Sequence, residues 1–269
     1  METWSLENLT IYFDPEEKDT AEIVKSACEG SIRIVRERWG LAIPKDCRVY
    51  VMTSWSQFLF HSAPWHWKVL LAITFPLWVT RVRRIWRVAG GWMQRYGRRC
   101  AVGVKPSRLV ELSDRSIGER IFVADESLEH KVQLVTCHEL THAFTAHLKL
   151  PMWLNEGLAM VTVDKFSGKL TVKQDTLKVF QASTTDKSPG RYQDVSVRDK
   201  DALVYHTVRG YWITRYFEDT KPDLLKEILR QRYSHKELEA KVASAYDMSR
   251  DTFWEEIDPI LVEHFLTNR

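Results

Sequence analysis

The feature that most constrains the fold is a long helical pattern from Ser127 to Leu150, which Pro151 then ends. One stripe of this helix is formed by Val132, Val135, Glu139 and His142, which all lie within roughly 40° of its centre line. The apolar stripe therefore continues into ionisable side chains. Burying such groups is costly unless they are paired or bound to a metal ion. The folded chain must therefore place this stripe in an interior or a cleft where the ionisable side chains are paired or bound to a metal ion.

Within that helix, His138-Glu139-Leu140-Thr141-His142 forms an HExxH motif. Residues four apart on a helix differ by only about 40° in azimuth, so both imidazoles can reach one metal ion. Glu139 lies about 60° from His142, close enough to contact a water molecule on the metal without displacing it. The spacing predicts metal ligands at His138 and His142 and a general base at Glu139.

A second motif, Trp153-Leu154-Asn155-Glu156-Gly157-Leu158-Ala159, begins just after the helix ends. HExxH followed by this motif resembles the gluzincin metallopeptidases, especially the aminopeptidase N-like branch and its smaller bacterial relatives. The resemblance implies that Glu156, 14 residues after His142, is the third ligand of a catalytic Zn²⁺. Two histidines and one glutamate leave a fourth position open for water, as catalytic zinc requires.

The resemblance also implies a tyrosine in the C-terminal helices that hydrogen-bonds the tetrahedral intermediate. Tyr205 is the best match, with Tyr211 and His206 as close rivals. One departure concerns the thermolysin-like branch, which has an aspartate four residues after its third ligand, where this chain has Met160. The groups that orient the two histidines are therefore unassigned.

The chain has 269 residues, enough for one large domain with a substantial core. We expect a single α+β, gluzincin-like domain over residues 1–269, with a mixed sheet and helices in 1–124. Residues 125–269 contain the central helix pair and a helical C-terminal lobe. The alternation of apolar residues predicts strands at Leu9–Phe13, Arg48–Thr53, Ala101–Val104 and Arg120–Ala124.

Helical spacing predicts helices over Asp19–Trp39, from Pro151 through Val163, and over Asp201–Phe217, Asp223–Arg232, His235–Tyr246 and Asp251–Leu266. Gly168–Lys173 is interpreted as a strand or hairpin arm. Ser183–Lys200, which contains Pro189-Gly190, is interpreted as a loop.

A basic insert, residues 61–99, interrupts the expected run of strands. It contains eight Lys or Arg and no Asp or Glu, together with Trp65, Trp67, Trp78, Trp86 and Trp92. Its uncharged stretch, Val69–Thr80, is shorter than the ~20 residues that a membrane-spanning helix needs. Tryptophan with arginine suits contact with an anionic membrane surface, and a lid or docking arm packed on the protein is the equal alternative. Nucleic acid is disfavoured because the rest of the chain is acidic and has no recognised module.

The four cysteines, Cys28, Cys47, Cys100 and Cys137, are scattered and form no CxxC pair. Reduced thiols in the cytoplasm are the simpler interpretation, with the insert allowing peripheral attachment to a membrane. The N-terminal segment is acidic and lacks the pattern of a signal peptide.

The predicted function is hydrolysis of a peptide or protein substrate by metal-activated water, with one zinc ion per chain. A first rival is a catalytically idle relative that keeps zinc as a scaffold for binding a membrane or a partner. A second rival is a protein without metal in which HExxH is accidental.

Overall fold

The structure, a computed structural model, describes residues 1–113, 117–124, 127–182 and 199–267. These residues form an α+β protein with two compact units. The first unit comprises Met1–Glu119 and Ala124–Phe144, and the second comprises Arg120–Val123 and Thr145–Arg269.

The first unit is built on a five-stranded mixed sheet with the order β1-β2-β3-β5-β4. The strands are β1 (Glu2–Leu6), β2 (Leu9–Phe13), β3 (Asp46–Val51), β4 (Gly91–Tyr96) and β5 (Arg99–Val104). The three central strands, β2, β3 and β5, are parallel, whereas β1 and β4 pair antiparallel at the two ends. β2 alternates buried and half-buried positions, whereas the last three residues of β3 and the last five of β5 are buried and mostly apolar, as expected for parallel strands covered on both faces.

Helices cover both faces of this sheet. The helices between Met1 and Thr145 are α1 (Lys18–Ile34), α2 (Trp55–Ser62), α3 (Trp65–Ile73), α4 (Phe75–Val88), α5 (Ser107–Ser113), α6 (Glu119–Ile121) and α7 (Leu128–Thr145). Side chains alternate between the faces of β5. Cys100 points towards α7, where its Sγ lies 3.7 Å from the carbonyl oxygen of Ala143. On the opposite face, Ala101 packs in a cluster with Trp55 and Phe58 of α2.

The predicted strands Leu9–Phe13, Arg48–Thr53 and Ala101–Val104 are confirmed to within two residues at each end by β2, β3 and β5. The helix predicted over Asp19–Trp39 is also confirmed. It is α1 continued by one π-helical segment, Val35–Trp39, and it ends at Gly40 with a left-handed φ of 67°. Glycine adopts this conformation without the Cβ clash that other residues meet.

The predicted strand Arg120–Ala124 is wrong for its first part, because Glu119–Ile121 is the short helix α6. Only Phe122 takes part in a β-bridge, with Val172 as its antiparallel partner. The Val123 amide donates to the carbonyl of Thr171 and the Lys173 amide donates to that of Ile121, both at 2.8 Å. Two such hydrogen bonds are too few to extend a sheet. The strand or hairpin arm predicted over Gly168–Lys173 is absent apart from this single bridge at Val172.

The second unit contains mainly helices. After the last residues of α7 come α8 (Met152–Ser167), α9 (Lys178–Ala182), α10 (Lys200–Thr220), α11 (Pro222–Ile228), α12 (His235–Ala245) and α13 (Phe253–Val262). The helices predicted in this half are therefore present. Most of the predicted loop Ser183–Lys200 lies outside the described residues.

Helices α8 and α10 cross in direct backbone contact. A Cβ atom added to Gly157 would lie 2.1 Å from the carbonyl oxygen of Gly210, and one added to Gly210 would lie 2.2 Å from that of Trp153. Only glycine fits at either position, because real Cβ atoms do not approach a carbonyl so closely. This crossing fixes the position of α8 at Gly157, the residue that follows Glu156.

Candidate metal centre

Helix α7 begins where Ser127 accepts a hydrogen bond at 3.2 Å from the backbone amide of His130. This N-cap satisfies one of the amides that the first helical turn leaves without a partner. Three turns later, the Nε2 atoms of His138 and His142 lie 3.0 Å apart with their rings perpendicular. The side chains therefore meet as the i, i+4 spacing predicts. His142 is buried, with 6% of its surface exposed.

Helix α8 carries Glu156 in its second turn. Pro151 stands at the N-cap position, one residue earlier than the first helical position expected from the sequence, and its carbonyl accepts from the Asn155 amide at 2.9 Å. Thr145, the last residue of α7, donates from Oγ1 to Oδ1 of Asn155 at 3.1 Å. This hydrogen bond ties the end of α7 to the residue that precedes Glu156.

Donor atoms of His138, His142 and Glu156 all lie within 4.8 Å of one another. Two atoms bound to one tetrahedral zinc are about 3.4 Å apart, since zinc–nitrogen and zinc–oxygen distances are about 2.0–2.2 Å. The separation of the two imidazole nitrogens is already close to that value, and two imidazoles with one carboxylate are ligands that zinc prefers. The residues present therefore fit a zinc ion. They form a candidate metal centre with two histidines and one glutamate.

Glu139 lies against the first residue of β4. A Cβ atom added to Gly91 would be 2.4 Å from Cγ of Glu139 and 3.0 Å from its Cδ. Gly91 therefore leaves the space that the carboxylate stem occupies. The sequence analysis did not single out Gly91, although the pair Gly90-Gly91 before an alternating Trp92–Tyr96 segment is a signal for close backbone approach.

The structure places the hydroxyl of Tyr205 in a buried ionic cluster. It donates to Oδ2 of Asp258 at 2.9 Å, and Nε of Arg209 donates to Oδ1 of the same carboxylate at 2.7 Å. Burial raises the pKa of Asp258, and Arg209 opposes that shift. The role of Tyr205 in stabilising the intermediate stays a prediction.

Its two rivals have different surroundings. Tyr211 is buried, and its hydroxyl donates to Oδ2 of Asp164 at 2.6 Å. Burial lowers the pKa of His206 to about 4, with a further contribution from the positive charge of Arg209. His206 is therefore neutral at pH 7, and a neutral imidazole can donate a hydrogen bond from one ring nitrogen.

No protein-family model matches the chain, and no curated protein matches it. The donor atoms of the candidate metal centre and the position of Glu139 therefore carry the functional argument.

Proposed function

We propose that the chain is a zinc-dependent peptidase of the gluzincin class. The observation that carries this proposal is the meeting of donor atoms from His138, His142 and Glu156 within 4.8 Å. Three protein ligands are the number that catalytic zinc sites use, whereas structural sites are closed by four. Gluzincin architecture beyond the α+β fold belongs to the same proposal.

In this proposal, His138, His142 and Glu156 hold the zinc ion. When bound, zinc lowers the pKa of water to about 7 and polarises the scissile carbonyl. Glu139 accepts the proton of the attacking water and then donates it to the nitrogen of the departing amine. The absence of a side chain at Gly91 leaves the space that the stem of the Glu139 side chain occupies.

The edge strand β4 supports a peptide as the substrate. Among the described strands, β4 pairs with β5 alone and stands at the end of the sheet beside Glu139. An extended peptide can add to such an edge through main-chain hydrogen bonds, which brings its carbonyl groups to the strand without selecting side chains. The proposed substrate is therefore an extended segment of peptide or protein.

The test measures zinc content and peptide cleavage on one preparation of each variant. Glu139→Gln keeps the side-chain volume but cannot accept the proton, so we expect normal zinc content and a ~10²- to 10⁴-fold lower kcat. Glu129→Gln removes the same charge from an exposed position of the same helix and serves as the control. A broad peptide library, with and without chelator, supplies the substrates.

Three other outcomes decide between the rivals. Zinc retained with unchanged cleavage in Glu139→Gln means that another group is the base. Stoichiometric zinc without hydrolysis of any peptide favours the idle scaffold. A purified protein that binds no zinc shows that the HExxH motif is accidental.

We further propose a cytoplasmic location. All four cysteines are buried and unbridged, and burial raises the pKa of each thiol. Buried neutral thiols are stable in a reducing compartment, where no disulfide is needed to hold the fold.

A further inference from the structure

Helices α3 and α4 expose large apolar side chains around the turn at Thr74. Ile73 is 75% exposed and Leu77 is 82% exposed, while Val69, Leu70 and Phe75 are also exposed beside them. Single exposed apolar residues are common on protein surfaces, but a contiguous group marks a site of interaction.

The opposite face of α4 is anchored in the first unit. Val82 is buried in the cluster formed by Tyr50, Trp55 and Phe58, and Trp86 packs edge-on against Trp55 with ring centroids 4.9 Å apart. Lys105 donates from Nζ to the carbonyl of Trp86 near the end of the helix. The outward face of α4 is therefore held in a fixed direction.

That outward face is basic. On a helical wheel, Arg84, Arg87 and Leu77 point about 140–160° away from Val82, with further arginines on the flanks. All the arginines of α4, namely Arg81, Arg83, Arg84 and Arg87, are exposed. The segment 61–99 contains no Asp or Glu that could neutralise them within the insert.

The apolar and basic groups are layered along α4. With a rise of 1.5 Å per residue, Arg81 lies about 6 Å and Arg84 about 10 Å from Leu77 along the helix axis. The headgroup region of one bilayer leaflet is about 5–8 Å thick. These distances run along the helix axis, so a helix tilted towards the bilayer plane places the arginines at the level of the phosphates when its apolar side chains lie at the acyl boundary.

We propose that the α3–α4 pair docks the protein on an anionic lipid surface. Ile73 and Leu77 enter the boundary between headgroups and acyl chains, and Arg81, Arg84 and Arg87 bind lipid phosphates. None of the described helices has the length and apolarity needed to cross a bilayer. The proposed contact with the membrane is thus peripheral. It involves α3 and α4 and does not disturb the pairing of β4 with β5 in the sheet.

Charge and apolarity together favour lipid over other partners. The same faces of two copies would repel each other, since both are basic. A nucleic acid would bind the arginines but would gain little from Ile73 and Leu77. An acidic protein would need an apolar patch matched to these two side chains, whereas the acyl boundary of any anionic membrane supplies one. The combination of both kinds of residue therefore favours an anionic lipid surface.

The experiment is co-sedimentation of the full chain with vesicles of phosphatidylcholine alone or with 30 mol% phosphatidylserine added, at about 50 and 300 mM salt. We expect binding to the anionic vesicles that weakens at high salt. Arg81→Gln/Arg84→Gln/Arg87→Gln should lower the partition coefficient about 100-fold, since each basic residue at an anionic surface contributes roughly a factor of five.

The matched control, Arg230→Gln/Arg232→Gln/Lys236→Gln, removes the same charge from exposed residues of the second unit and should bind as the parent does. Ile73→Ser/Leu77→Ser should lower binding at least ~10-fold with the arginines intact. Circular dichroism and thermal melting of each variant verify its folding.

Binding that is equal for neutral and anionic vesicles overturns the proposal, as does an equal loss in the control variant. Binding to anionic vesicles that needs the arginines but is unaffected by Ile73→Ser/Leu77→Ser also overturns it, because the attraction is then purely electrostatic and any polyanion could supply it. The test uses no substrate and no metal, so its outcome is independent of the proposed peptidase activity.

Discussion

At the residue scale, the candidate site combines groups that the sequence predicts with one that it does not. His138, Glu139 and His142 are local on one helix, so helical geometry is sufficient to bring them together. Glu156 is predicted by the resemblance of the second motif. Gly91 is distant from Glu139 in sequence, and only the pairing of β4 with β5 brings it beneath α7.

Gly91→Ala should impair catalysis while zinc remains bound. Its new methyl group would lie 2.4 Å from Cγ of Glu139, so the carboxylate must move. A shift of about 1 Å in a catalytic group can cost ~10²-fold in rate. We expect kcat to fall about that far with little change in KM, because the change affects the base more than binding.

Gly90→Ala is the control, because its Cβ atom would lie 3.1 Å from Val135, a neighbour on α7 that has no part in the chemistry. Steady-state kinetics and zinc content of both variants are the measurements. Equal kinetics for the two variants would show that Gly91 does not position Glu139.

His206 gives the protein a stability that depends on pH. Its folded-state pKa of about 4 lies below the unfolded value of about 6.5. Between these values the unfolded chain binds more protons, so the free energy of unfolding decreases as pH falls from about 6.5 to 4. The loss should be about 1–2 kcal/mol after allowance for partial solvent access.

His206→Gln should remove this part of the acid sensitivity. Denaturant unfolding of parent and variant at pH 7, 5.5 and 4.5 measures the difference, and His66→Gln controls for loss of an exposed imidazole. Parallel pH profiles for parent and His206→Gln would rule out His206 as the source.

At the element scale, periodicity was sufficient to predict three strands of the sheet and the helices α1, α7, α8 and α10 to α13, whereas α2 to α6 and α9 were not predicted. The helix pair α7–α8 follows from a long 3.6-residue pattern and a proline break, and β2 and β3 follow from apolar alternation. The missed strands were β1 and β4, which both stand at the ends of the sheet. β4 begins with Gly91 and contains Arg95, so its strand conformation depends on pairing with β5 rather than on local propensity.

The crossing of α8 and α10 yields a prediction for stability. Gly157→Ala would place a methyl carbon 2.1 Å from a carbonyl oxygen and 2.2 Å from the hydroxyl oxygen of Thr214. Because both neighbours belong to α10, the helices must separate, and we expect a loss of at least ~3 kcal/mol.

Gly168→Ala is the comparison, since it has no atom within 4 Å of the new methyl and only a left-handed φ of 71°. That conformation should cost about 1–2 kcal/mol. Urea unfolding measures both variants. If Gly157→Ala costs no more than Gly168→Ala, the two helices do not meet as closely as described.

At the scale of the whole molecule, charge is divided unevenly along the chain. The formal net charge of the chain is +3. The 39 residues of segment 61–99 contain eight basic residues and no acidic residue. The rest of the chain contains 31 basic and 36 acidic residues. The sequence was sufficient to locate this asymmetry. It could not show which arginines face outwards, because the anchoring of Val82 and Trp86 depends on residues of α2.

Zinc should stabilise the whole molecule, because the native state holds three ligands together that the unfolded chain separates. At free zinc 100-fold above Kd, the free energy of unfolding should rise by about 2.7 kcal/mol. For a protein of this size, that is about 5–10 °C in Tm between chelator-treated and zinc-loaded samples. His138→Ala, His142→Ala and Glu156→Ala should each abolish most of this rise.

Glu139→Gln separates the base from the ligands in the same measurement. If Glu139 only transfers protons, zinc should raise the Tm of the Glu139→Gln variant as much as it raises the Tm of the parent. A rise as small as that of Glu156→Ala would make Glu139 a ligand instead. A full rise in Glu156→Ala would require another third ligand, since two imidazoles alone bind zinc too weakly for a catalytic site. Differential scanning calorimetry at fixed free zinc distinguishes these outcomes without reference to any substrate.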